Sequence, residues 1–130
     1  MESCPDGVSV YVNEVSCSIF SGSAHFEVNI TNSGLFKIDA AYFRVSEKDS
    51  DIHWQIGEDF YIVRTVNGQT ENGFNPGEQY KFIGQTSKIS AEGDYVLEIE
   101  PAIEQPESEK NKISLCEKAT ITHPVSCLLQ

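Results

Sequence analysis

Val8-Ser-Val-Tyr-Val-Asn-Glu-Val-Ser-Cys-Ser-Ile19 decides how this chain reads. Val8, Val10 and Val12 alternate with polar or amphipathic residues, the period of a half-buried strand. The phase then slips, and Val15, Cys17 and Ile19 become the apolar set. A shift of one residue turns every later side chain to the other face of a sheet. A bulge or kink near Asn13-Glu14 produces that shift. First strands of β-sandwiches cross from one sheet to the other at such a kink; two separate short strands are the alternative.

The same period recurs along the chain. In His25-Phe-Glu-Val-Asn-Ile-Thr31, Phe26, Val28 and Ile30 point inward, and Asn32-Ser33-Gly34 closes the segment as a turn. Ile38 to Val45 is apolar on both faces and is expected at the centre of a sheet. Strands are also expected over Ile52–Ile56, Phe60–Val66, Glu78–Gly84, Asp94–Glu100 and Ile113–Thr122. Asn67-Gly68 is a favoured hairpin dipeptide. Asn72-Gly73 and Asn75-Pro76-Gly77 mark a further loop, and Pro101 to Lys112 reads as a long acidic loop. Pro124 is expected to loosen the last strand. Helical periodicity is nearly absent. The expectation is an all-β chain, one domain over residues 1–130, folded as an immunoglobulin-like two-sheet sandwich of about seven or eight strands. A barrel is the second choice.

Composition narrows the function classes. The chain has 130 residues, 39% of them apolar, with 20 acidic residues against 9 basic ones and a formal net charge of -11. That charge repels a nucleic-acid backbone or an anionic lipid surface, so neither is an expected partner. No run approaches the roughly 18 consecutive apolar residues of a membrane helix.

The four cysteines are Cys4, Cys17, Cys116 and Cys127. An even count in a small acidic β-rich chain favours a disulfide framework. The rival is a zinc site in which Cys116, His123 and Cys127 join Cys4 or Cys17, but the tight C-x-x-C knuckles of such sites are absent. Disulfides imply export. The start, MESCPDG, has neither a basic region nor an apolar one, so a leader or membrane anchor is expected to have been removed.

Several stretches resemble a known family. Val28-Asn-Ile-Thr-Asn-Ser-Gly-Leu-Phe-Lys-Ile38, continuing to Val45, is similar to the "v-x-V-x-N-x-G-x-f-x-i" run of prokaryotic cell-surface immunoglobulin-like domains of the CARDB (cell-adhesion-related) kind. Asn75-Pro76-Gly77-Glu78 resembles their "l-x-P-G-E" lead-in to a middle strand. Gly93-Asp94-Tyr95-Val96-Leu97-Glu98-Ile99 resembles their "G-x-Y-x-l-x-v" strand. The terminal cysteine pairs resemble those of exported archaeal proteins in which the sandwich follows a pilin-like membrane helix. The resemblance spans roughly residues 8 to 122 and implies a surface or filament-associated β-sandwich. The central disulfide of antibody-type domains is missing, so a vertebrate-type domain is not implied.

In such a sandwich the first and last strands run parallel. Laid side by side, they bring Cys4 to Cys116 and Cys17 to Cys127. The two spacings differ by two residues, which preserves the face and is absorbed by the kink at Asn13-Glu14. Of the other two connectivities, Cys4–Cys127 needs antiparallel strands and Cys4–Cys17 needs a tight turn that Val10 to Ser16 does not show.

The remaining candidates are few. Asn29-Ile30-Thr31 is an N-glycosylation sequon with Asn29 on the outward parity, though a plain polar strand residue is the favoured reading. Asp49, Asp51, Glu58 and Asp59 include a fragment of a calcium-loop pattern, without its glycine and distal glutamate. Glu98, Glu100, Glu104, Glu107 and Glu109 read as solubilising surface. Trp54 and Tyr61, with Phe60 and Tyr42, are candidates for a sugar-stacking face, against the commoner fate of aromatics in a core. His25, His53 and His123 stand alone, and no nucleophile elbow, zincin or phosphate-loop motif occurs. No catalytic residue, metal ligand or cofactor is assigned.

These readings converge on a non-catalytic extracellular structural or adhesive module of a cell-surface or pilus-like filament protein. Its expected partners are other surface proteins or copies of itself. A carbohydrate- or small-ligand-binding module is the second expectation.

Overall fold

The computed structural model describes residues 4–105 and 112–130. Among these, ten strands form, joined late in the chain by a short 3-10 turn at Glu117–Ala119. They are β1 (Val10–Phe20), β2 (Ser23–Asn32), β3 (Ala40–Glu47), β4 (Trp54–Gln55), β5 (Val63–Val66), β6 (Gln69–Asn72), β7 (Gln79–Thr86), β8 (Gly93–Glu104), β9 (Ile113–Leu115) and β10 (Ile121–Leu129).

The opening stretch folds as one bulged strand. Val12 pairs with Ile30 and Glu14 with Asn29, which leaves Asn13 as the extra residue. Val10 and Val12 are buried before the bulge, and Cys17 and Ile19 after it. The bulge therefore keeps both apolar sets on the core side of an 11-residue strand. Ser21 and Gly22, both at positive φ, turn the chain into β2. There Ala24, Phe26, Val28 and Ile30 are fully buried at every second residue. Asn67 and Gly68, at φ 51° and 77°, make the corresponding tight turn between β5 and β6.

Eight strands lie on one hydrogen-bonded sheet in the order β4-β3-β8-β10-β1-β2-β7, with β9 added beside β8; β5 and β6 form a separate hairpin. The all-β expectation holds, but the strands do not part into two hydrogen-bonded sheets. β1 is the reason: it pairs with β2 along its length and also with β10 through Cys17, Ser18 and Ile19. The sheet curls instead. Phe43 of β3 stacks on Phe82 of β7 with ring centroids 3.9 Å apart, although many strands separate them along the sheet. The edges also meet, because the Gly57 N–H, just past β4, donates to the Gln85 carbonyl of β7 at 3.0 Å. The core enclosed by the curl is built around Phe26, Phe74, Ile30, Leu97 and Ile99.

Four boundaries depart from the sequence reading. Pro101 lies inside β8, not in a loop. It sits where β8 passes from β10, last paired at Ile99–Ile121, to β9, first paired at Ala102–Leu115, so no ladder donor is missed. The expected last strand is two strands, β9 and β10, broken by the 3-10 turn. Pro124 lies inside β10, ahead of the residues that pair with β1. Strand β6, Gln-Thr-Glu-Asn, is exposed throughout and carries no apolar residue by which to recognise it. The segment with Pro106, Glu107 and Glu109 lies outside the described residues.

Both disulfides form between the chain's two ends. Cys4 joins Cys116 and Cys17 joins Cys127, with Cα–Cα distances of 5.3 and 4.6 Å. The second bridge spans a register pair of the parallel β1–β10 ladder. The zinc reading is overturned, because all four sulfurs are bonded in pairs.

Candidate ligand-binding face and its supports

The outer face of β3 and β8 carries a charged and aromatic cluster. Tyr42 and Arg44 share a face of β3, and Glu98 and Glu100 occupy the facing positions of β8. Arg44 Nη1 donates to Glu98 Oε1 at 3.1 Å and to Glu100 Oε1 at 2.9 Å. Its guanidinium carbon lies 4.7 Å from the Tyr42 ring centroid, within cation–π range. Burial opposes the Arg44 charge, but hydrogen bonds and Coulomb attraction from Glu100 and Glu98 outweigh it and raise the pKa. Glu100 is only 7% exposed, a correction to its reading as surface. Strand alternation put it outward, but outward here means beneath Arg44.

Phe60 and Tyr61 continue this face. Phe60 packs against Tyr42 at 4.5 Å and meets Tyr61 edge-on at 5.1 Å. Tyr61 bridges Ala40, which shares a face with Tyr42, and is 63% exposed. Trp54 does not join them. It pairs with Val45, a fully buried residue, and packs half-buried against the core from the opposite face. The platform formed here is therefore Tyr61, Phe60 and Tyr42. Arg44 belongs to it but went unmarked in the sequence. Its alternation with Tyr42 was visible; the pairing with β8 that brings two glutamates to it was not.

Trp54 lines a second feature, an open groove of about 670 Å³ between the β4 loop and the end of β7, with His53, Glu58, Asp59, Thr86 and Lys88 along its walls. Among the described residues no hydrogen bond or ion pair couples His53 to these acids or to Lys88. No group of three or more His, Cys, Asp or Glu residues converges as a cation site there. Asp49 (φ 66°) sits in a turn that ends in the Ile52 N–H bond to Ser50 Oγ, apart from Glu58 and Asp59.

The sequon lies mid-strand on β2. Asn29 is half-buried, and its Oδ1 accepts from Asn13 Nδ2 at 2.7 Å. The same Asn13 nitrogen donates to Thr31 Oγ1 at 2.7 Å. The bulge residue thus holds one side-chain oxygen of Asn29 and that of Thr31. Of the histidines, His25 stacks on Phe20 at 3.7 Å and His123 Nδ1 lies 2.8 Å from the Pro124 carbonyl.

The β5–β6 hairpin is tied to the body by Arg64. Its Nε donates to the Gly73 carbonyl at 2.8 Å, and its Nη2 reaches Glu78 Oε1 at 3.0 Å. Glu78 Oε1 also accepts the Asn75 N–H at 2.7 Å. That backbone bond, with the charge of Arg64 added, lowers the Glu78 pKa below the ordinary 4.5 against a desolvation cost. A carboxylate with a depressed folded pKa contributes stability that is present above its unfolded pKa and lost as pH falls through the folded one. Glu78→Gln keeps an acceptor but removes the charge. Thermal melts from pH 7 down to pH 2 are expected to fall more steeply below pH 4.5 for the parent than for Glu78→Gln. Parallel curves would show that the hairpin clamp carries no charge-dependent stability.

No protein-family model matches the chain, and no curated protein matches it. Among solved structures, one similar to it is the CARDB domain of a Pyrococcus furiosus protein in complex with di-metal ions. That match has 16% identity, covers 98% of this chain and 100% of that one, and has a TM-score of 0.41. Another is β-glucosidase 3B from Thermotoga neapolitana in complex with glucose, with 13% identity, 90% of this chain and 16% of that one covered, and a TM-score of 0.43. Both TM-scores lie below 0.5.

Proposed function

We propose that this chain is a non-catalytic structural or adhesive module of an extracellular protein, displayed on a cell surface or in a pilus-like filament. One observation carries the reading: the two ends of the chain are cross-linked to each other through bridges with sequence separations of 112 and 110, the second of them between β1 and β10. Bridges of this kind persist in oxidising compartments and are rare where glutathione keeps thiols reduced. The curled sheet serves as an immunoglobulin-like sandwich, β2 and β7 facing β3 and β8 across the core. The net charge of -11 supports protein partners, or copies of the same chain, over nucleic acid. The sequence resemblance extends the reading to an archaeal, pilin-like exported protein.

A second reading, a carbohydrate- or small-ligand-binding module, is favoured by Tyr61, exposed beside Phe60 and Tyr42 with Arg44 and Glu98 as polar neighbours. Loss of polysaccharide binding in Tyr61→Ala, with Trp54→Phe unaffected, would select it.

The test of the first reading is labelling of intact native cells with a membrane-impermeant amine reagent, followed by capture with an antibody to the domain. Labelled protein with all four cysteines oxidised is expected. Protein found only after lysis, with free thiols, would overturn the assignment.

A further inference from the structure

We infer that the domain is built to carry tension past its own folded body. The inference rests on the surface role proposed above. Its basis is the way the two disulfides divide the chain.

The bridges create two covalent nodes, Cys4 with Cys116 and Cys17 with Cys127. Three stretches of chain connect the nodes: residues 4–17, residues 116–127, and the long route through residues 17–116. A pull entering ahead of Cys4 and leaving after Cys127 is carried by the two short routes. The long route, which holds β2 to β9 and the face built on Tyr61, Tyr42 and Arg44, is never drawn taut. The short routes consist mainly of β1 and β10, already extended. Residues 116–127 reach about 40 Å at full extension, at 3.3–3.6 Å per residue. In the fold most of them already rise about 3.3 Å each, so the oxidised domain has only about 10 Å of slack.

Orientation adds to this. β1 and β10 run parallel and are in register at Cys17–Cys127, Ser18–Leu128 and Ile19–Leu129. The pull enters at the start of β1 and leaves at the end of β10. Those pairs lie at and beyond the Cys17–Cys127 node, so β1 and β10, tied to the same two nodes, share the pull along their length and the hydrogen bonds between them are not loaded. A binding face on β3 and β8 keeps its shape while the chain that anchors it is under load.

The division also predicts how the bridges substitute for one another. With Cys4–Cys116 alone, the loaded route is the first few residues plus residues 116–130. With Cys17–Cys127 alone, it is residues 1–17 plus the last few. Either bridge by itself holds the extension below about 50 Å, whereas the chain without bridges opens by about 400 Å.

The test is optical-tweezers stretching of the full chain with a handle at each end, in the oxidised protein, the reduced protein, Cys4→Ser/Cys116→Ser and Cys17→Ser/Cys127→Ser. A fluorescent antibody fragment specific for the folded domain reports the body. The expected result is no step above roughly 15 Å when oxidised, one of about 400 Å when reduced, and short steps for both two-site variants. The fragment stays bound to the oxidised protein at a clamped force that opens the reduced one. Release of the fragment from the oxidised protein at that force, or a two-site variant opening by about 400 Å, would overturn the inference. Because the purified oxidised protein is stretched whatever its cellular address, this result is separable from failure of the surface-labelling test.

Discussion

Asn32→Ala is expected to destabilise the fold by about 3–5 kcal/mol, enough to unfold a marginal domain at moderate temperature. Asn32 is completely buried at the end of β2. Its Nδ2 donates to the Phe36 carbonyl at 2.8 Å and the Phe74 carbonyl at 3.0 Å, and its Oδ1 accepts the Gly34 N–H at 3.0 Å. Its backbone bonds Glu78 and Gly77 of the neighbouring turn. One side chain therefore serves two loops distant in sequence, and alanine strips a buried group in each of its partners. The turn has no room to relax, because a Cβ on Gly34 would overlap the Gly7 carbonyl. Asn32→Asp adds a diagnostic. It keeps the acceptor for Gly34 but turns a carboxylate oxygen toward two carbonyls, which raises the folded pKa of the new group. A raised carboxyl pKa means stability gained as pH falls. Urea unfolding is expected to show Asn32→Asp recovering relative to the parent between pH 7 and pH 4, and Asn32→Ala not recovering. A loss below about 1 kcal/mol in both variants would show that water replaces the side chain without cost.

Removing both disulfides is expected to strip away much of the stability in two successive losses of unequal size. A single bridge across about 110 residues stabilises by about 4.8 kcal/mol in the chain-entropy model. Once one bridge exists, the other closes only the cycle made by residues 4–17 and 116–127, about 25 residues, worth about 3.4 kcal/mol. Cys4→Ser/Cys116→Ser and Cys17→Ser/Cys127→Ser should therefore each cost about 3.4 kcal/mol, and the four-site variant about 8. That total falls within the whole stability range of a typical domain, roughly 5–15 kcal/mol. Urea titration of the three variants checks the pattern. Two-site losses near 5 kcal/mol each would mean that the bridges act independently, which the shared pair of nodes does not permit.

Much of the local structure was legible because its causes are local. The phase slip between Val12 and Val15 identified the bulge, since strand parity is a property of adjacent residues. Asn67-Gly68 announced its hairpin because both positions need positive φ. The inward set Phe26, Val28 and Ile30 needed nothing beyond alternation. Strand β6 left no signal, because it is held by the turn before it and by Arg64 beside it, not by burial of its own side chains.

The candidate site was less legible. Trp54 and Tyr61 looked like partners by composition, yet they lie on opposite faces, because Trp54 pairs with Val45 and Tyr61 with Ala40. Glu100 read as solvent-facing and is buried under Arg44, a residue 56 positions away in sequence. Cys17 could be assigned to the core face from its own neighbours. That it meets Cys127 in a parallel ladder, and that β1 joins what would otherwise be separate sheets, depends on β1 pairing with two strands at once. The sequence by itself determined most of the strands, their inward faces, the bulge and the tight turns, each set by steric and solvation preferences acting over a few residues. Only the tertiary structure decided which strands lie side by side, which aromatics share a face and which charges are buried, because those contacts are chosen by closing one core around the whole chain.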